Sequence, residues 1–146
     1  MRFFSGTANL AQVYAEYMPG RRKYIKRSQE SVTAVQLDLD TEGFQYRKWG
    51  GVQTCKRGDW ILNNGGEVYT VDRKTFAKTY RQKSPGIYRK VGAVWAEVAK
   101  GDGSIKTKEG VTNYKQGSYL VFNAKNGADG YAVTARKFKQ MYKPSR

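Results

Sequence analysis

Lys56 to Asn64 reads KRGDWILNN, and fifty-nine residues later Lys115 to Asn123 reads KQGSYLVFN. No other feature narrows the possible folds as much, because a chain that repeats itself at this length builds similar local structure twice. The match extends in both directions. Upstream, SVTAVQL from Ser31 falls on KVGAVWA from Lys90, and Gly51-Val52 falls on Gly110-Val111, at the same offset. Downstream, NAKNGADG is three residues longer than NNGGE, so the offset becomes sixty-two. Glu67 then meets Asp129, Tyr69 meets Tyr131, Val71 meets Val133, Phe76 meets Phe138 and Tyr80 meets Tyr142.

Each unit reads as a sheet that ends in a helix. VTAVQLD and VGAVWAEV are rich in β-branched residues and read as strands. GDGS at Gly101 to Ser104 and TEG at Thr41 to Gly43 are turns. RGDWILNN is a strand launched from a tight Gly-Asp turn, and NNGG at Asn63 to Gly66 tolerates the positive φ of a hairpin. Asp72 and Thr134 stand where helix N-caps belong. RKTFAKTY and ARKFKQMY follow as short helices with Phe and Tyr four apart. A module of about fifty residues is marginal alone, so two would pack together. The expected fold is α+β: two tandem antiparallel β modules, each a twisted sheet or half-barrel ending in a short helix, related by a pseudo-twofold axis.

The expected organisation follows. Residues 1–30 hold a helix, with Leu10, Val13, Tyr14 and Tyr17 on one face and a stop at Met18-Pro19-Gly20, and then the basic segment RRKYIKR. Residues 31–80 are the first unit, 81–89 a basic linker, 90–142 the second unit and 143–146 a basic tail.

The segment RGDWILNNGGEVYTVDRKTFAKTY resembles one common in small phage and prophage-encoded bacterial proteins, roughly Pro-Gly-Asp-Tyr-x-Val, Gly-Glu-x-Tyr-x-Val and Phe-x-x-x-Tyr. YRKVGAVWAEVAKGDGSIKTKEGVTNYKQGSYLVFN resembles the upstream half of such proteins, with Lys108-Glu109-Gly110 as its turn. The resemblance spans residues 31–142 as two copies and implies a phage-type context. Arg57 and Gln116 depart from it where Pro is usual, and Ser118 replaces the Asp.

Charge and missing chemistries bound the function. Twenty-seven Lys and Arg face twelve Asp and Glu, a net +15, with the excess concentrated in residues 1–30 and 81–142. Such a chain favours a polyanion or an acidic protein face. There is no histidine and one cysteine, which removes imidazole bases, disulfides and nearly every zinc arrangement. No Gly-x-x-x-x-Gly-Lys loop is present. Three residual chemistries can be written down: a cation on Asp38 and Asp40 along one strand face, a paired carboxylate at Glu67 and Asp129, and a Cys55 nucleophile activated by Lys56 and Arg57. The plainer readings are an exposed strand face, lysine-paired or turn-capping acids and a strand cysteine. No enzyme and no cofactor is expected.

Aromatics interleave with basic residues in RRKYIKR, FQYRKW, TYRQK, IYRK and MYKPSR, a combination that stacks bases and neutralises phosphates. Trp60, Tyr69, Phe76, Tyr80, Tyr119, Tyr131, Phe138 and Tyr142 belong to the repeated frame and are assigned to the core. The candidate polyanion-binding residues lie outside it: Arg21, Arg22, Lys23, Tyr24, Lys26, Arg27, Arg47, Lys48, Trp49, Tyr88, Arg89 and Lys90. The expectation is a non-enzymatic, phage-type binder of nucleic acid or nucleotide, cytoplasmic in a host cell, with no membrane role and with room for homo-oligomers. The alternatives are a counter-defence or host-takeover inhibitor acting on an acidic or nucleic-acid-binding host protein, and a sponge for nucleotide second messengers.

Overall fold

The computed structural model describes residues 21–27, 30–127 and 129–145. The N-terminal helix expected before Pro19 lies outside the described residues.

Among the described residues fourteen strands and two helices follow one another. The first part contains β1 (Arg22–Lys26), β2 (Ser31–Gln36), β3 (Phe44–Lys48), β4 (Gly51–Cys55), β5 (Trp60–Asn64), β6 (Glu67–Val71), α1 (Arg73–Thr79), β7 (Tyr80–Ser84) and β8 (Ile87–Lys90). The second contains β9 (Val94–Val98), β10 (Gly103–Lys106), β11 (Val111–Tyr114), β12 (Tyr119–Phe122), β13 (Tyr131–Val133), α2 (Ala135–Met141) and β14 (Tyr142–Pro144). All strand pairing is antiparallel. The described residues are therefore β-rich with two short helices, and no described helix is long and apolar enough to cross a membrane.

Two five-stranded sheets dominate. One has the order β6-β5-β2-β8-β7, the other β13-β12-β9-β1-β14. Their registers correspond. Ala34 pairs with Leu62 as Ala96 pairs with Val121, and Val32 pairs with Tyr88 as Val94 pairs with Tyr24. On the outer side Tyr80 pairs with Lys90 as Tyr142 pairs with Lys26. The matched core positions Val32 and Val94, and Ala34 and Ala96, are all buried.

These registers correct three sequence expectations. The upstream repeat offset is sixty-two, since Val32 corresponds to Val94, and the second unit has a loop three residues shorter before its hairpin. Residues 81–89 are not a linker, because they form most of β7 and β8, joined through a positive-φ Gly86. The basic segment after Pro19 is the interior strand β1 of the second sheet, occupying the place that β8 holds in the first. Lys143 of the tail lies on β14 beside it.

Each sheet wraps one face around a helix that delivers a phenylalanine. Phe76 stacks on Trp60 at 4.0 Å and on Tyr80 at 4.6 Å, with Tyr88 edge-on at 5.1 Å. Phe138 stacks on Tyr119 at 4.1 Å and on Tyr142 at 5.0 Å, with Tyr24 edge-on at 4.8 Å. Ring pairs at these spacings contribute about 0.5–1.5 kcal/mol beyond their area burial. The sheets curl enough to bring opposite edges together: the phenols of Tyr69 on β6 and Tyr80 on β7 are close enough to interact, as are those of Tyr131 and Tyr142.

The helices start at side-chain caps. Asp72 accepts from the backbone N–H groups of Lys74 (3.0 Å) and Thr75 (3.3 Å), and Thr134 accepts from that of Lys137 at 3.4 Å. Burial alone would raise the Asp72 carboxyl, but the Thr75 N–H, Lys108 and the Lys74 N–H outweigh it and hold the group below its ordinary value. Its stabilising contribution is therefore present above about pH 4 and lost as the pH falls through the folded-state value. Asp72→Ala should cost about 1 kcal/mol in urea denaturation at neutral pH, and the difference from the parent should shrink in acid.

The hairpins β3–β4 and β10–β11 leave their sheets and cross. Gln53 bridges to Gly110, the Gln53 amide donates to the Val111 carbonyl at 2.5 Å, and the Asn113 N–H donates to the Trp49 carbonyl at 2.9 Å. The approach is reciprocal. A Cβ on Gly51 would lie 2.2 Å from the Val111 carbonyl oxygen, and one on Gly110 would lie 2.0 Å from that of Val52.

Candidate functional site

A cavity of about 660 Å³ opens where β6, β13 and the crossed hairpins meet. Tyr69 and Tyr80 from one sheet and Tyr131 and Tyr142 from the other line it, because the repeated Tyr positions fall at the curled edges. Lys26 and Lys90 reach it from the matching ends of β1 and β8. The Lys90 ammonium donates to the Tyr131 hydroxyl at 2.8 Å and lies 5.0 Å from the ring centroid. Burial pushes the Tyr80, Tyr131 and Tyr142 phenols well above their ordinary value, so they serve as neutral donors and acceptors. Burial, and then the like charge of Lys90, lowers the Lys26 ammonium against a small opposing effect of Glu30.

The carboxylates around the cavity are engaged. Glu67 forms an ion pair with Lys137, Asp129 with Lys108 at 2.9 Å, and Asp102 with Lys115 at 3.5 Å. Lys108 also lies 3.6 Å from Asp72 and donates to the Thr75 hydroxyl at 3.2 Å. Glu109 accepts from the Asp72 backbone N–H at 2.7 Å, and burial raises its carboxyl. Glu67 and Asp129 thus face one cavity, each held by its own lysine.

The structure divides the candidate polyanion residues among three settings. Lys26, Lys90 and Trp49 line the cavity. Tyr24 and Tyr88 do not, since they are matched rings of the two cores. The remainder lie on outer surfaces: Arg22 and Lys23 on β1, Arg47 and Lys48 on β3, and Arg89 on β8. Arg21 is tied to Glu97 at 3.3 Å and lies 4.2 Å over the Phe122 ring, while Arg27 donates to the Lys139 carbonyl at 2.7 Å. Tyr69, Tyr80, Tyr131 and Tyr142 belong to the two cores, as expected for the repeated frame, and also line the cavity, a second role that their matched places in the two copies could have signalled.

The residual chemistries change as well. Asp38 and Asp40 follow β2 in a loop and share no strand face, and Asp40 pairs with Arg57 at 3.3 Å. Cys55 is fully buried on β4, where burial and then Asp59 raise its thiol above its ordinary value despite Lys56. Among the described residues no group of three or more Cys, Asp or Glu side chains is placed to hold a metal ion. No family model, curated protein or solved structure matches this chain.

Proposed function

We propose that the chain is a duplicated β module, packed about an approximate twofold axis, that binds a polyanionic partner of the nucleic-acid type without catalysis. One observation carries this reading. The six elements β1, β14, α2, β8, β7 and α1 hold fourteen Lys and Arg and no Asp or Glu. They sit on the corresponding side of the two sheets, since each helix runs directly into the edge strand that flanks β8 or β1. Across β7 and β8, Arg81 stands directly opposite Arg89. The two basic borders approach each other at Lys26 and Lys90, close enough for their charges to interact.

Phosphate neutralisation would supply most of the affinity, with release of condensed counterions. A fluorescence titration of a labelled oligonucleotide across a series of salt concentrations tests it. Neutralising about six phosphates gives a log–log slope of about −5 on duplex, and a shallower one on single strands. Charge reversal at Arg22, Lys23 and Arg81 should flatten the slope. Affinity that does not respond to salt rejects the proposal.

A further inference from the structure

The basic borders leave the cavity unexplained. Its volume of about 660 Å³ falls within the range of about 300–1,000 Å³ for small-molecule sites. Rings form one part of its walls, with Trp49 lying 6.0 Å from Tyr69 and Tyr80, Tyr131 and Tyr142 lining the same space as Lys90. Its acids are matched, as described above. Lys26 and Lys90 differ: among the described residues neither has a carboxylate within ion-pair distance, although both line the cavity and their charges interact. Two ammoniums that share a partly dry site repel, and a bound dianion removes that cost.

Trp49 supplies an independent observation. It sits in the β3–β4 turn at φ +56, followed by Gly50 at φ +77, a conformation that Asn or Gly adopts with little strain and that a bulky side chain resists. Its indole is 39% exposed at the cavity rim. Strain held at such a position signals a use for the side chain.

We propose that this cavity binds a nucleotide, with a phosphate between Lys26 and Lys90 and the base stacked among Trp49 and the tyrosine walls. Lysine recognises phosphate as a point charge, and aromatic side chains stack bases regardless of base identity. The site shares only Lys26 and Lys90 with the basic borders and does not depend on their other cations.

Calorimetry with the common ribonucleoside monophosphates and with cyclic di-GMP and cyclic di-AMP, against inorganic phosphate as the ring-free control, tests the assignment. At least one nucleotide should bind one to one and about tenfold or more tighter than phosphate, a difference of roughly 1.4 kcal/mol. Lys26→Met and Lys90→Met should each weaken it by about tenfold. Trp49→Asn should weaken it too, while thermal stability stays level or rises, so lost binding is not mistaken for lost fold. Arg22→Ala with Lys23→Ala should leave nucleotide affinity unchanged while weakening oligonucleotide binding. The assignment is overturned if no nucleotide outbinds phosphate, if affinity survives both lysine replacements, or if it disappears with Arg22 and Lys23.

Discussion

Removing residues 1–27 is expected to melt the second sheet, and moving the β1 segment to the other end of the chain is expected to restore it. β1 is an interior strand, and β14 is hydrogen-bonded to β1 alone. Its loss strips the ladder from Val94–Ala96 on one side and Tyr142–Pro144 on the other. It also removes Tyr24 from the ring cluster around Phe138, a truncation worth about 3–5 kcal/mol by itself. Against a total stability of about 5–15 kcal/mol, little would be left. The rescue follows from the first sheet, where β7 and β8 are joined by a tight turn through Pro85 and Gly86. A permutant running from Glu30 to Ser145, then a Pro-Gly turn, then residues 22–27, rebuilds that arrangement. Urea unfolding followed through Trp95, which pairs with Lys23 across the β1–β9 ladder, gives the comparison. Equal midpoints for the parent and the shortened chain would show that β1 does not complete the sheet.

The second large effect lies at the hairpin crossing. A methyl group on Gly110 would meet the Val52 carbonyl oxygen at 2.0 Å and the Gln53 Cα at 2.9 Å. Both are backbone atoms, and the Gln53 side chain is fully buried, so nothing nearby swings aside. Gly110→Ala should cost about 3 kcal/mol or more, lowering Tm by roughly 10 °C in a chain of this size. Gly51→Ala should behave alike, because its Cβ would meet Val111 in the reciprocal position. Gly101 has open space around it and an ordinary φ, and its replacement by Ala should stay within about 0.5 kcal/mol. Indistinguishable melting curves for the Gly110 and Gly101 variants would refute the crossing.

Much of the local structure was legible in the sequence, for physical reasons that particular residues show. Asp72 and Thr134 announced the helix starts because a cap needs a short oxygen-bearing side chain at one backbone position. Gly51 and Gly110 recurred because the crossing excludes a Cβ at both. The alignment upstream slipped by three because Val-x-Ala-Val occurs in both copies at a misleading distance. Only pairing to β5 and β12 fixes Val32 against Val94. β1 was not legible at all. KYIK and IYRK share a Tyr and a Lys in matching places, too little to mark a fifth strand that arrives from the other end of the chain. That omission made Tyr24 and Tyr88 look spare, and rings that look spare are read as ligand contacts. The cavity was hidden for a related reason: Lys26 and Lys90 come to line one space only once β1 and β8 hold equivalent positions in their two sheets.

The placement of β1 also governs the order in which the protein assembles during synthesis. Lys26 and Tyr142 are direct neighbours, yet they stand 116 positions apart in the chain. At about 5–20 residues per second on the ribosome, β1 waits on the order of ten seconds for β14. All five strands of the β6-β5-β2-β8-β7 sheet are made by Lys90, so that sheet needs nothing that comes later. Until β9 is made, the nascent chain carries this cation-rich strand without either of its two sheet neighbours.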